Sequence, residues 1–444
     1  MKFESLGPLE VVMQKKNLVQ NNERRLLLIS SLGGTLEYYD FIIFALFAVY
    51  ISEAIFPATE GLLGLMLTFA TFAIGYLIRP LGGIVFGHFG DRIGRKASFT
   101  VSILLMAFAT LGIGIVPSYA ILGFGAPLLV VFFRLLQGFS IGGEIPGAIT
   151  YVTESLSHYK GLACGIVFCA LTLGVVIGSI LYALLVTLLD PTQLHHFGWR
   201  IPFILGGFFG LLSFFLRRNL SESTPFLALE NEVEKYPILS VCKKEWPSLL
   251  CGIMLVALSA CIVSSLFLFL PAYFTKVLNL PDHYYIWQQT FALAVGAVLN
   301  VCFGYVSDIW SLKKLTMLLI LLTLILAYPI FMIYAYYPSF YPLALGASTL
   351  LLGISAGVIP RALSELYPIS IRYSGIALSY NLGFALFGGL TPFISLSLIY
   401  YTKWLTAPAW YLMGVTLLTF FCLKILGLQQ KIAWLSQEPG LELR

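Results

Sequence analysis

Gly87-His88-Phe89-Gly90-Asp91-Arg92-Ile93-Gly94-Arg95-Lys96 is a short basic turn between two long apolar runs, residues 62–86 and 97–116. About 20 apolar residues span the core of a bilayer. Each run can therefore cross one, and the turn joins two antiparallel membrane helices on a single face. Gly87, Gly90 and Gly94 allow close backbone approach and permissive dihedrals. Asp91 stands at a helix end among three cations, Arg92, Arg95 and Lys96. A generic basic loop needs none of this spacing, so the turn reads as a specific element.

Composition agrees with a membrane chain. Of 444 residues, 59% are hydrophobic and 11% charged, against about 25% charged in soluble chains. Aromatic residues make up 15%, which suits interfacial belts. The net charge of +5 is small and its cations are scattered, which excludes a nucleic-acid partner. The seven cysteines show no metal spacing, and the six in apolar runs (Cys164, Cys169, Cys251, Cys261, Cys302 and Cys422) read as small buried hydrophobes. No metal or cofactor is expected.

Hydropathy gives twelve runs: 27–49, 62–86, 97–116, 122–150, 162–188, 201–217, 248–270, 286–306, 314–336, 341–362, 374–398 and 408–427. The polar stretch 218–247 separates the first six from the last six and is expected to hold a short amphipathic helix. The expected domains are a six-helix unit at 1–217, a linker at 218–247, and a second six-helix unit with a short tail at 248–444. Residues 1–26 are polar and basic and read as a tail, not a signal peptide. With the N-terminus placed inside, twenty-one of the 26 cations fall on the inner face. Arg200, Lys276 and Lys403 fall on the outer face, and Arg79 and Arg134 lie within runs. This bias places both termini in the cytoplasm.

The halves repeat weakly. Gly87-x-x-x-Asp91 returns as Gly304-x-x-x-Asp308, and Glu154 with Lys160 returns as Glu365 with Arg372. The second turn is worn, with Ile309, Ser311 and Leu312 where Arg, Gly and Arg would stand. A parallel duplication of six-helix units accounts for both. The fold class is thus all-α, a membrane protein of twelve transmembrane helices in two pseudo-symmetric bundles.

These features resemble the major facilitator superfamily, and within it the metabolite–proton symporters, which include carriers for proline and betaine, α-ketoglutarate, citrate and shikimate. The resemblance rests on the basic turn, Glu37-Tyr-Tyr-Asp40-Phe41, Arg134-Leu-Leu-Gln137-Gly138-Phe-Ser-Ile-Gly142-Gly143-Glu144, Trp199-Arg200-Ile-Pro202-Phe203, and Glu222-Ser-Thr-Pro225-Phe226. Glu365-Leu-Tyr-Pro368, Arg372-Tyr-Ser-Gly375, Tyr380-Asn381 and Gly388-Gly389-Leu-Thr391-Pro392 extend it to about residue 400. Ile145-Pro146 and Arg361 depart from the pattern. The resemblance implies that helices 1, 4, 7 and 10 face a central path. It also implies that the basic turn shuts the cytoplasmic side while the outer side is open. The gating candidates are Gly87, Asp91, Arg92, Gly94, Arg95, Lys96, Glu154, Asp308, Glu365 and Arg372, with Arg95 able to reach Glu154.

Ionisable groups inside the membrane carry the functional reading. A mid-bilayer charge costs about 2.5–3.5 kcal/mol on insertion scales. Glu37 and Asp40 in run 1, and Arg134 and Glu144 in run 4, therefore imply either a wet cavity or internal pairing. At about 100° per residue, Arg134, Gln137, Ile141 and Glu144 share an arc of roughly 80°. Structural ion pairs gluing helices together are one reading. The other is a proton-coupling carboxylate (Glu37, Asp40 or Glu144) beside a substrate cation, Arg134, which can hold a carboxylate bidentately. Further substrate contacts are assigned to Gln137, Tyr39, Tyr380 and Asn381. Arg79-Pro80 reads more as a hinge than as a substrate contact.

The expected protein is a monomeric secondary transporter of the bacterial inner membrane. It takes up a small organic acid or zwitterion with protons by alternating access, with the lipid bilayer as its surroundings. A sugar-type facilitator and a multidrug exporter remain alternatives, as does a membrane sensor. No nucleophile, base and oxyanion set argues for an enzyme.

Overall fold

The computed structural model describes residues 34–40, 42–56, 62–93, 95–156, 159–217, 237–280 and 285–429. The side chains of residues 87–100, 144, 155, 213, 216–217, 237 and 427–429 lie outside the description. Among the described residues, nine helices are long and apolar enough to cross a membrane. A bent pair and two shorter helices bring the spans to twelve. In chain order they are α1 (Gly34–Leu46 with Ala48–Ile55), α2 (Leu63–Phe86), α3 (Arg95–Ile115), α4 (Gly125–Glu154), α5 (Lys160–Leu188) and α6 (Gly198–Leu212), then α7 (Trp246–Val277), α8 (Ile286–Ile309), α9 (Leu312–Tyr336), α10 (Pro338–Ser364), α11 (Ile369–Thr402) and α12 (Ala407–Leu426).

The twelve runs correspond to these helices, with two adjustments. α1 continues past residue 49 to Ile55 after a 62° bend. α7 opens at Trp246, with Pro247 in its first turn, where the missing N–H costs no hydrogen bond. The linker holds the expected short helix, Pro237–Lys244.

In lipid every polar group must be satisfied internally. Threonines manage this by bonding back one turn: Thr68 to the Gly64 carbonyl at 3.0 Å, Thr172 to Phe168 at 2.8 Å, and Thr323 to Leu319 at 2.8 Å. The outer surface is apolar, with Ile121, Leu188 and Phe291 among its most exposed side chains. Burial separates inner from outer helices. α7 and α10 are 83% and 72% buried over their most apolar windows, whereas α9 and α12 are 39% and 33% buried.

The halves meet through α5 against α8, α4 and α2 against α11, and α10 against α5. At the α5–α8 crossing a Cβ on Gly161 would lie 2.4 Å from the Gly304 carbonyl oxygen, and one on Gly304 would lie 2.5 Å from the Gly161 carbonyl oxygen. Only glycine permits that approach. Two wide turns interrupt α7 at Ser264–Leu268 and Tyr273–Val277, and one interrupts α11 at Phe384–Gly388. Ser264 Oγ donates to the Gly388 carbonyl at 2.8 Å. Thr391-Pro392 follows this interruption, whose freed Gly388 carbonyl finds a partner on α7.

Candidate functional site

The polar interior is built mainly on the Glu37–Asp40 turn of α1. Glu37 and Asp40 lie one turn apart and both are buried. Asp40 faces α6. A Cβ on Gly206 would lie 2.2 Å from its Oδ1, so only glycine leaves room for this carboxylate. Asp40 hydrogen-bonds with Thr110 of α3. Gln137 Nε2 of α4 donates to Thr110 Oγ1 at 2.7 Å, and Arg134 Nη1 donates to Gln137 Oε1 at 2.8 Å. A polar chain therefore runs Arg134–Gln137–Thr110–Asp40 across α4, α3 and α1. Arg134 is fully buried, and its guanidinium carbon lies 4.4 Å from the Phe44 ring centre and 5.2 Å from that of Phe72. Such stacking desolvates the cation at modest cost.

A second group lies where the halves meet. The Arg79 guanidinium of α2 sits among three rings: Tyr76 at 5.2 Å, Phe384 at 5.7 Å and Tyr380 at 6.0 Å. Two of these rings come from α11. Tyr76 and Phe384 stack at 6.1 Å and 12°. The Tyr38 and Tyr380 hydroxyls are 2.6 Å apart, joining α1 to α11. Glu37 and Arg79 both act electrostatically on Tyr38 and on Tyr76. A guanidinium and two phenol hydroxyls thus gather between the bundles, with the Glu37 carboxylate in electrostatic range of Tyr38 and Tyr76. Asn381 Nδ2, one residue beyond Tyr380, donates to the Gly142 carbonyl at 2.7 Å.

Some expected residues are placed differently. Tyr39 points into α6, where its hydroxyl donates to the Pro202 carbonyl at 2.9 Å, a structural bond. Asn381 ties α11 to α4. Arg134 and Gln137 bond to each other within the first half. Arg79, read from sequence as a hinge, holds the central position. The Glu144 side chain lies outside the described residues, and the Gly142-Gly143 turn sets its helix segment off from Gly125–Ile141.

On the face of the basic turn, Gly94 and the side chains of Asp91, Arg92, Arg95 and Lys96 lie outside the described residues, and Gly87 falls within the helix Arg79–Ile93. The worn second copy is fully engaged. Asp308 accepts from the Gly161 and Leu162 amides, each at 2.8 Å. Arg361 Nη1 lies 3.3 Å from Asp308 Oδ1, and its Nε lies 3.1 Å from Glu365 Oε1. Arg361 also donates to the Ser307 carbonyl. Glu154 pairs with Arg372 at 3.3 Å, while its expected partner Arg95 has its side chain outside the described residues. On the opposite face Lys276 of α7 pairs with Glu53 of α1 at 2.5 Å, and His195 Nδ1 lies 2.7 Å from the same carboxylate. Ties between the halves thus exist on both faces, and the central groups lie between them.

A twelve-helix fold with charged groups sealed between two bundles defines a transporter. The Major Facilitator Superfamily sequence profile matches residues 30–293, and the chain belongs to that superfamily. It is a secondary active transporter, not an enzyme. It is 34% identical over 393 residues to a citrate–proton symporter of Salmonella typhi, covering 87% of this chain and 89% of that one. It is also 34% identical over 411 residues to a protein of Staphylococcus aureus strain COL named as a proline/betaine transporter, covering 90% and 87%. The crystal structure of a D-xylose–proton symporter superposes with a TM-score of 0.71 at 18% identity, covering 90% and 97%. A partially occluded inward-open form of the xylose transporter from E. coli gives 0.70 at 17% identity, covering 90% and 96%.

Proposed function

We propose that the chain takes up a small organic acid or zwitterion together with a proton, by alternating access, as a monomer in the bacterial inner membrane. Its termini and the linker 218–247 face the cytoplasm, and the units 1–217 and 248–444 move against one another. No resident cofactor takes part, and the proton is the coupling ion. The observation that carries this reading is Arg79 enclosed by Tyr76, Tyr380 and Phe384, with Glu37 in electrostatic range of the same Tyr76.

The chemistry follows from charge. A guanidinium in an apolar surround is a strong bidentate partner for a solute carboxylate. While Glu37 is ionised, it competes for the same cation. A proton on Glu37 removes that competitor, so solute and proton bind together. Because two of the rings belong to the second half, a solute held by Arg79 contacts both halves and can bias their arrangement. Asp40, linked to Arg134 through Thr110 and Gln137, is the alternative proton carrier.

The test is uptake of labelled organic acids and osmolytes into cells with and without the protein, under an imposed inward proton gradient. A carboxylate-bearing solute should accumulate, and the Arg79→Gln variant should take it up far less efficiently. Accumulation of a neutral sugar, or efflux from right-side-out vesicles, overturns the proposal in favour of a facilitator or an exporter.

A further inference from the structure

The linker helix Pro237–Lys244 packs one side on the start of α11 (Ile369–Ile371 and Arg372–Gly383) and on the first part of α7. Val241 is its buried contact. At about 100° per residue, Ile238, Cys242 and Leu239 fall within roughly 100° of one another, beginning about 60° from Val241. This second side is apolar yet exposed, with Leu239 at 50%. Lys243 continues the arc about 40° beyond Leu239. Lys244 is exposed on the far side of Val241.

Position decides what covers this side. The helix ends two residues before Trp246, where the α7 span begins. Trp246 is itself half exposed, Leu250 is exposed one turn further up α7, and Ile369 is exposed at the start of α11. The apolar side of the linker helix is therefore continuous with the lipid-facing surface of two spans. It lies at the depth where tryptophan and lysine meet headgroups. Lys243, at the edge of that side, can extend its ammonium group to phosphate while its stem covers apolar surface.

We propose that the linker helix is a docking surface for anionic phospholipid. Ile238, Leu239 and Trp246 enter the acyl boundary, and Lys243 holds the headgroup charge. The pattern is that of a helix lying in the interface plane. Each lysine near an anionic surface favours it by about fivefold at moderate ionic strength, and added salt removes that preference.

Cys242 makes the test direct, because it is exposed on the helix. The full chain carrying Cys302→Ser, which removes the other exposed cysteine, is labelled at Cys242 with a fluorophore and placed in nanodiscs. These contain phosphatidylcholine with a minority of phosphatidylglycerol, and either lipid is brominated in turn. Brominated phosphatidylglycerol should quench several-fold more per lipid than brominated phosphatidylcholine, and salt should abolish the difference. The Lys243→Gln variant should lose the preference yet keep quenching by phosphatidylcholine. Its thermal midpoint in phosphatidylcholine alone should match the wild type, which shows that it folds. Leu239→Ser should reduce quenching by both lipids. Equal quenching by both lipids in the wild type overturns the anionic assignment. Absence of quenching by either puts the helix in water and overturns the docking surface itself.

Discussion

Asp308 on α8 and Arg361 on α10 meet at 3.3 Å over the N-terminus of α5, whose first amides, those of Gly161 and Leu162, both donate to the Asp308 carboxylate. A carboxylate at a helix N-terminus stabilises it by up to about 2 kcal/mol when partly buried. The contact joins the two halves. It closes this face only while α5 and α8 remain together. From the sequence alone, the worn second turn, with Ile309, Ser311 and Leu312, makes Asp308→Asn the milder change. With Asp308 and Arg361 so engaged, Asp308→Asn should instead be severe.

Cys164 reports on that latch. It is buried one turn into α5 and lies within electrostatic range of Asp308, Arg361 and Glu365. Asn in place of Asp308 keeps one acceptor but loses the charge facing Arg361 and the helix end. If this costs about 1.5–2 kcal/mol of closed state, opening becomes roughly 10- to 30-fold more frequent. Alkylation of Cys164 by a permeant maleimide, with Cys242 and Cys302 replaced by Ser, should accelerate accordingly. An unchanged rate means that Asp308 is no latch. The Glu53–Lys276 pair on the other face is more than one-third exposed on both partners, so Glu53→Gln should matter less.

The central cluster yields a second test. Tyr38 and Tyr380 join the halves by one hydroxyl contact at 2.6 Å, and a buried neutral hydrogen bond contributes about 0.5–1.5 kcal/mol. Phe at both positions, compared with each single change, should give a coupling of that size in solute affinity. Arg79→Lys should retain charge yet lose the planar fork. Arg79→Gln should lower solute uptake efficiency by about 10- to 100-fold, the worth of hydrogen bonds to a charged group. A Gln variant with unchanged affinity removes Arg79 from the binding site.

Topology gives the third. Thr192, exposed between α5 and α6, and Cys242, exposed on the linker helix, should lie on opposite sides of the membrane. An impermeant thiol reagent added to intact cells should label a cysteine at Thr192 and leave Cys242 unlabelled until the membrane is opened. The reverse pattern inverts the whole orientation and, with it, the positive-inside reading.

Much of this architecture is legible in the sequence because lipid imposes it. Twelve apolar runs, the Gly-x-x-x-Asp repeats and the acids of α1 all follow from local composition. What stays hidden depends on which helices face each other. Thr110, the link between Gln137 and Asp40, looks like any back-bonding threonine. Tyr76 and Phe384 read as core aromatics until α2 and α11 are brought together around Arg79. The second turn looks worn because its missing cation comes from another helix as Arg361. Arg361 was visible as an unusual charge, and a search for carboxylates one turn away would have found Glu365 but not Asp308.

Coupling gives the last prediction. Glu37, Asp40 and Glu144 are the candidate coupling acids. Whichever carries the proton must be neutral in one step and charged in another. Its amide variant should therefore lose accumulation driven by a proton gradient while still exchanging bound solute, because exchange needs binding and reorientation but no net proton release. Asp40→Asn should fold, since the Arg134 guanidinium donates to Gln137 and stacks on Phe44 and Phe72 rather than meeting Asp40 directly. It should also retain the Thr110 contact. Thr110→Val separates the roles: if Asp40 serves only to order the Gln137–Arg134 chain, this change should mimic Asp40→Asn. If Asp40 carries the proton, Thr110→Val should leave accumulation in place with a shifted pH dependence. Glu37→Gln should instead strengthen solute binding, because it removes the competitor for Arg79. The measurement is gradient-driven uptake beside exchange for each single amide. If all three still accumulate solute in response to an imposed proton gradient, none is the coupling site. Glu365, already paired with Arg361 at 3.1 Å, is then the next acid to test, and a different coupling ion the next explanation.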